Sequence, residues 1–173
     1  MKRSTKNLVM TVCICLAVVA LFGFLTKGFT SINIKDNFEK ERNEANAIAK
    51  TDITLKDGKL SNGVTVKVNS DGSVTLNGKA TADDTIKYAE ISSLAAGTYT
   101  FTGAKGGTTG TYYMTVTSGS ETKQSDFVGA NKLTLSSAAK TVVEIVIKKD
   151  ATFFNVTLYP VLYTGDTEVE FYK

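Results

Sequence analysis

The sequence predicts an all-β protein: an antiparallel β-sandwich of about eight strands, preceded by one N-terminal transmembrane helix and a short helical linker. Three observations carry this prediction. Residues 8–25 form one unbroken uncharged run of 18 residues. From about Thr51 onward, apolar side chains recur with period two, the signature of strands with one buried face. Clusters of Gly, Asn, Asp and Ser interrupt that alternation at near-regular intervals, as turns between short strands do.

The uncharged run comes first in chain order. At about 1.5 Å per residue, a helix over 8–25 reaches about 27 Å, close to the roughly 30 Å of a hydrocarbon core. Lys2, Arg3 and Lys6 precede it, and no charge follows until Lys27. A cleaved signal peptide has a shorter apolar stretch and a small-x-small site just beyond it. Here Gly23-Phe24-Leu25-Thr26-Lys27 follows, and the nearest such pattern is the distant Ala47-Ile48-Ala49. An uncleaved single-pass anchor is expected, with residues 1–7 a cytoplasmic stub and the remainder extracytoplasmic. Cys13 and Cys15 lie inside this run and read as small apolar residues of the membrane helix.

Residues 26–50 form a linker. Within it Ile34, Phe38, Ala45 and Ile48 fall near one helical stripe interrupted by Glu41, which predicts a short stalk helix rather than a sustained coiled coil. Net charge is +3, but residues 1–50 carry eight Lys/Arg against four Asp/Glu. Residues 51–173 carry twelve Lys, no Arg and thirteen Asp/Glu, so the domain itself lacks the basic surface that nucleic acid requires.

The domain is expected to span 51–173. Val64, Val66 and Val68 alternate with Thr65 and Lys67, and Asn69-Ser70-Asp71-Gly72 supplies a turn. Val74 and Leu76 continue the pattern, and Asn77-Gly78 is a further turn signal. Later strands are expected over 86–91, 98–102, 111–117, 132–135, 142–148 and 153–162. Gly106-Gly107-Thr108-Thr109-Gly110 lacks the lysine of a phosphate-binding loop and reads as a flexible connection.

Composition restricts the chemistry. The chain has no His, and both cysteines fall in the apolar run, which removes most nucleophile–base pairs, imidazole zinc sites and disulfides. Asp71, Asp83, Asp84, Glu90, Glu144 and Asp150 are the remaining carboxylates of interest, and most sit beside expected turns. No spaced Asp motif for calcium is present. No enzymatic activity and no cofactor are expected.

Binding is the chemistry that strand faces offer. On 111–117, Tyr112, Met114 and Val116 share one face, and Tyr113, Thr115 and Thr117 the other. On 142–148, Val143, Ile145 and Ile147 point inward and leave Glu144 and Lys148 outward. On 153–162, strict alternation buries Phe154, Val156, Leu158, Pro160 and Leu162. It turns Phe153, Asn155 and Tyr159 outward, with Tyr163 continuing the same face. Outward rings among Asn and Thr suit a pyranose, whose apolar face stacks while its hydroxyls are bonded. The candidate ligand-binding residues are Tyr113, Phe153, Asn155, Tyr159 and Tyr163.

Three segments carry a family resemblance: Asp71-Gly72-Ser73-Val74-Thr75-Leu76-Asn77-Gly78-Lys79-Ala80-Thr81, Leu94-Ala95-Ala96-Gly97-Thr98-Tyr99-Thr100-Phe101-Thr102-Gly103 and Phe154-Asn155-Val156-Thr157-Leu158-Tyr159-Pro160-Val161-Leu162. Together they resemble the jelly-roll modules of carbohydrate-binding and galactose-binding-like domains in bacterial surface and phage adsorption proteins. The resemblance covers about residues 52–165. It implies a jelly-roll-like sandwich with a glycan ligand, and it assigns no ligand residue. The expectation is a membrane-anchored surface protein displaying a non-catalytic carbohydrate-binding module. The alternative is a structural or protein-interaction module of a cell-envelope or prophage-related assembly.

Overall fold

The computed structural model describes residues 46–125 and 131–165, within the unit Glu39–Lys173. The stub, the apolar run and the linker up to residue 45 lie outside the described residues. No described helix is long and apolar enough to cross a membrane.

Strands dominate, as the period-two alternation requires. They are β1 (Lys59–Ser61), β2 (Val64–Val68), β3 (Val74–Lys79), β4 (Asp84–Leu94), β5 (Gly97–Thr102), β6 (Tyr112–Ser118), β7 (Glu121–Ser125), β8 (Asn131–Leu135), β9 (Ala139–Ile147), β10 (Thr152–Leu158) and β11 (Val161–Thr164). All pairings are antiparallel, in three sheets ordered β1-β2-β3-β10, β11-β5-β8 and β4-β9-β6-β7. β11 resumes two residues after β10, and the Tyr159 N–H bonds the Gly103 carbonyl at 3.0 Å, so one chain crossing links the first two sheets. Gly103 is required there, because a Cβ on it would lie 2.5 Å from the Tyr159 carbonyl oxygen.

The core forms where these sheets face β4-β9-β6-β7. Val64, Val66, Val74 and Leu76 on one side and Ile86, Met114, Val116, Val143, Ile145 and Ile147 on the other are all fully buried. The rings of Tyr112 on β6 and Phe153 on β10 meet at 5.3 Å between centroids, tilted by 54°, and tie the layers together. Each such side chain contributes about 1.5–3 kcal/mol by leaving water. With no disulfide among the described residues, that burial and the ladders hold the sandwich.

Five expectations are corrected. The strand expected over 153–162 is two strands, because Pro160 has no N–H to give a ladder and the chain breaks at Tyr159-Pro160. Phe153 is buried and Phe154 exposed, the reverse of the alternation assigned to them. The cause is a β-bulge: β10 slips register against β3 between Phe153 and Val156, with Asn155 at φ 52°. From Leu158 onward the inward assignments of Leu158, Pro160 and Leu162 hold, but Tyr163, assigned outward, is buried too, on a strand paired with β5 on one side and bridged by Asn46 on the other.

The third correction concerns Asn77-Gly78, which lies within β3 rather than at a turn. Gly78 passes so close to β2 that a Cβ would sit 2.4 Å from the Gly63 carbonyl oxygen. The tight turn is instead Asn62-Gly63, both left-handed at φ 42° and 87°, joining β1 to β2. β1 and β7 are strands that the alternation does not predict. Finally, the Gly106–Gly110 stretch is held rather than free: Gly107 N–H bonds Ala104 O at 3.0 Å, and the Tyr112 hydroxyl donates to Lys105 O at 2.8 Å.

At the N-terminal side the described chain is already packed. The Asn46 side chain accepts from Leu162 N–H at 2.9 Å and donates to Pro160 O at 3.0 Å. The Ala47 N–H bonds Leu162 O, and Ile48 is buried in the core. A 3-10 turn, Lys50–Asp52, leads on to Thr54 and Leu55, whose N–H groups cap the free edge of β4 at Tyr88 O.

Candidate functional site

The sheet β4-β9-β6-β7 buries alternate residues and presents the others outward in register. One row across it reads Thr85, Val146, Tyr113; the next reads Lys87, Glu144, Thr115, Gln124; the third reads Glu90, Val142, Thr117, Thr122. Undisturbed alternation of β6 and β9 sets these rows, since Met114, Val116, Val143, Ile145 and Ile147 anchor the opposite side in the core. Tyr113, Val142, Glu144 and Val146 are half-buried, and Thr115 is nearly covered.

The surface is chemically mixed and electrically balanced. Glu90 splits its carboxylate between Lys87 at 2.8 Å and Lys140 at 2.7 Å, and hydrogen bonds from these two ammonium groups hold its pKa down at about 2. Beyond Tyr113, Lys148 pairs with Asp83, which also accepts the Lys149 N–H at 2.7 Å. The Lys148 contact holds the Asp83 carboxyl below its usual range and raises the Lys148 ammonium, which also lies near Tyr113. Glu144, at the centre, is paired through its backbone with Lys87 on one side and Thr115 on the other. Its carboxylate oxygens are acceptors in the same row as Thr115 and Gln124, between rows that carry Tyr113, Val142 and Val146. Such a surface can stack one apolar ring face and accept or donate bonds to hydroxyls around it.

The five sequence-predicted ligand residues do not converge. Tyr113 lies on this face. Phe153 is 1% exposed, its ring spent on Tyr112, and Tyr163 is 4% exposed on β11. Asn155 sits at the β10 bulge, exposed, on a different sheet.

Tyr159 lines a cleft of about 20 Å3 with Asn46, Lys50, Asp71, Ser73 and Tyr88. The polar groups of that cleft bind its own walls. Asp71 accepts from the Ser73 N–H and hydroxyl at 2.9 and 2.6 Å, Lys50 donates to Ser70 O, and the Tyr88 hydroxyl donates to Gly72 O at 2.6 Å. It has room for about one water and none for a sugar ring.

Sequence reasoning placed Tyr113 and Glu144 outward but missed Thr85, Gln124, Val142 and Val146 as their neighbours. Alternation gives each residue's face, and only strand order tells which faces adjoin. Among the described residues no three His, Cys, Asp or Glu side chains are grouped to hold a metal ion. No protein-family model, curated protein or solved structure gives a match to this chain.

Proposed function

We propose that this protein is a single-pass surface protein, anchored by residues 8–25, whose β domain binds glycan without catalysis through the outer face of β4-β9-β6-β7. The observation that carries this reading is the row set around Glu144: a half-exposed tyrosine, two half-buried valines, the Gln124 amide and the hydroxyls of Thr85, Thr117 and Thr122 on a charge-balanced sheet. Strand order supports a jelly roll. Taking β10 and β11 as one interrupted strand, the layers read β1-β2-β3-β10/β11-β5-β8 and β4-β9-β6-β7, with β1 and β2 added at one edge, and the chain changes layer at most connections. Fold alone assigns no ligand, so the face is what argues for sugar.

The test is binding of the full chain, in a sugar-free detergent, to a broad panel of neutral and charged glycans. Saturable binding is expected, weakened about tenfold by Tyr113→Ala, the loss of one stacking contact, and comparably by Glu144→Gln. A folded chain that binds no glycan removes this reading and moves the function to a protein partner at the envelope, sought by crosslinking.

A further inference from the structure

Phe154 is 84% exposed, the one large apolar side chain so placed among the described residues. A lone exposed apolar residue ordinarily calls for no explanation. This one is held out by the bulge in β10, where Asn155 adopts a left-handed φ of 52°, a conformation uncommon for a residue with a Cβ and found where a strand re-aims a side chain. The backbone on both sides is fixed, with Phe153 opposite Gly78 and Val156 opposite Leu76. Phe153 occupies the inward position against Tyr112, so its neighbour cannot turn in.

The bulge lies opposite Asn77 of β3, which pairs with Thr65 of β2, and both are exposed. Thr65, Asn77 and Phe154 therefore make one row across three strands, about 10 Å long at ordinary strand spacing, the length of a disaccharide. The row carries no charge. Lys79 beside it is paired with Asp150 at 3.4 Å, and the next row holds Thr75 and Thr157, hydroxyl to hydroxyl at 3.2 Å, with Lys67 beyond. The pairings at Phe153 and Val156 hold the backbone that carries this ring, and an amide and hydroxyls stand in the same row and the next, so little backbone freedom is lost on taking a ligand.

We propose that the row Thr65–Asn77–Phe154 is a second glycan subsite, on the opposite layer from Tyr113, taking a neutral pyranose whose apolar face stacks on Phe154. This inference rests on the glycan reading above and adds a second site to it. The experiment is calorimetric titration of the full chain, in a sugar-free detergent, with cellotetraose, maltotetraose, mannotetraose and galactotetraose. Native protein, Phe154→Ser, Tyr113→Ala and the double variant are compared, with sedimentation run alongside.

Two equivalents per chain are expected for a tetrasaccharide that binds, falling to one in either single variant and to none in the double variant. One equivalent, lost in Tyr113→Ala and unchanged in Phe154→Ser, overturns the second site and leaves the proposed function standing. One equivalent, lost in Phe154→Ser alone, keeps this site and removes the Tyr113 face. Absence of any binding overturns both. Self-association of the native chain that Phe154→Ser abolishes, with sugar binding unaltered, overturns the subsite in favour of a contact between copies.

Discussion

Phe153 and Phe154 are adjacent and chemically identical, yet one is 1% and the other 84% exposed. Truncating each to alanine separates position from side-chain type. Phe153→Ala deletes a ring packed on Tyr112 and is expected to cost about 3–5 kcal/mol of unfolding free energy, whereas Phe154→Ala should change stability by no more than about 0.5 kcal/mol. Denaturant midpoints for the two variants decide this; equal losses would contradict the bulge. Strict alternation along the segment selects Phe154 for the core, and it selects the wrong ring because the register slip between Phe153 and Val156 reverses the faces on its N-terminal side. Asn155, one residue on, is the physical reason for the choice, and Asn is among the residues that tolerate a left-handed turn of the backbone. The Asn77-Gly78 pair misleads for a related reason. Gly78 answers a close approach of two strands, a demand that leaves the same mark as a turn.

Strands whose alternation is uninterrupted were legible as elements. β2, β3, β6 and β9 bury the residues that period two selects, down to Val143, Ile145 and Ile147. β7 was not, since Glu121-Thr122-Lys123-Gln124-Ser125 has no apolar period and becomes a strand by pairing with β6 at the sheet edge. β4 and β9 share the ion-pair cluster at Glu90, which gives the element a pH response. The Glu90 pKa falls from 4.5 to about 2 on folding, through its bonds to Lys140 and Lys87. A depressed carboxylate stabilises the folded state above its unfolded pKa, and that contribution is lost as pH drops through the folded value. Thermal midpoints of native protein and Glu90→Gln should therefore differ most above pH 4.5 and converge toward pH 2. A gap that stays constant over that range would show that the cluster contributes nothing through ionisation.

At the scale of the molecule, the all-β class and the antiparallel sandwich follow from turn spacing and period, because both are local in sequence. The candidate site is not local. Tyr113, Glu144 and Thr85 come from β6, β9 and β4, far apart in the chain, and adjoin only because the sheet orders those strands side by side. The same non-locality hides the role of the residues just before Thr51, which the sequence assigns to a linker. Asn46 bridges Tyr163 in antiparallel register, close to the last described residue, Gly165. The described chain thus begins and ends within about 10 Å of itself, on neighbouring backbone tracks. Such an arrangement lets the ends be spliced. A circular permutant that joins 165 to 46 through a short Gly-Ser bridge and opens at the exposed Ser136-Ser137 connection should fold to the same sandwich, recognisable by an unchanged far-ultraviolet spectrum. The β domain would then be a cassette, movable into a surface loop of an unrelated host with its sheets intact.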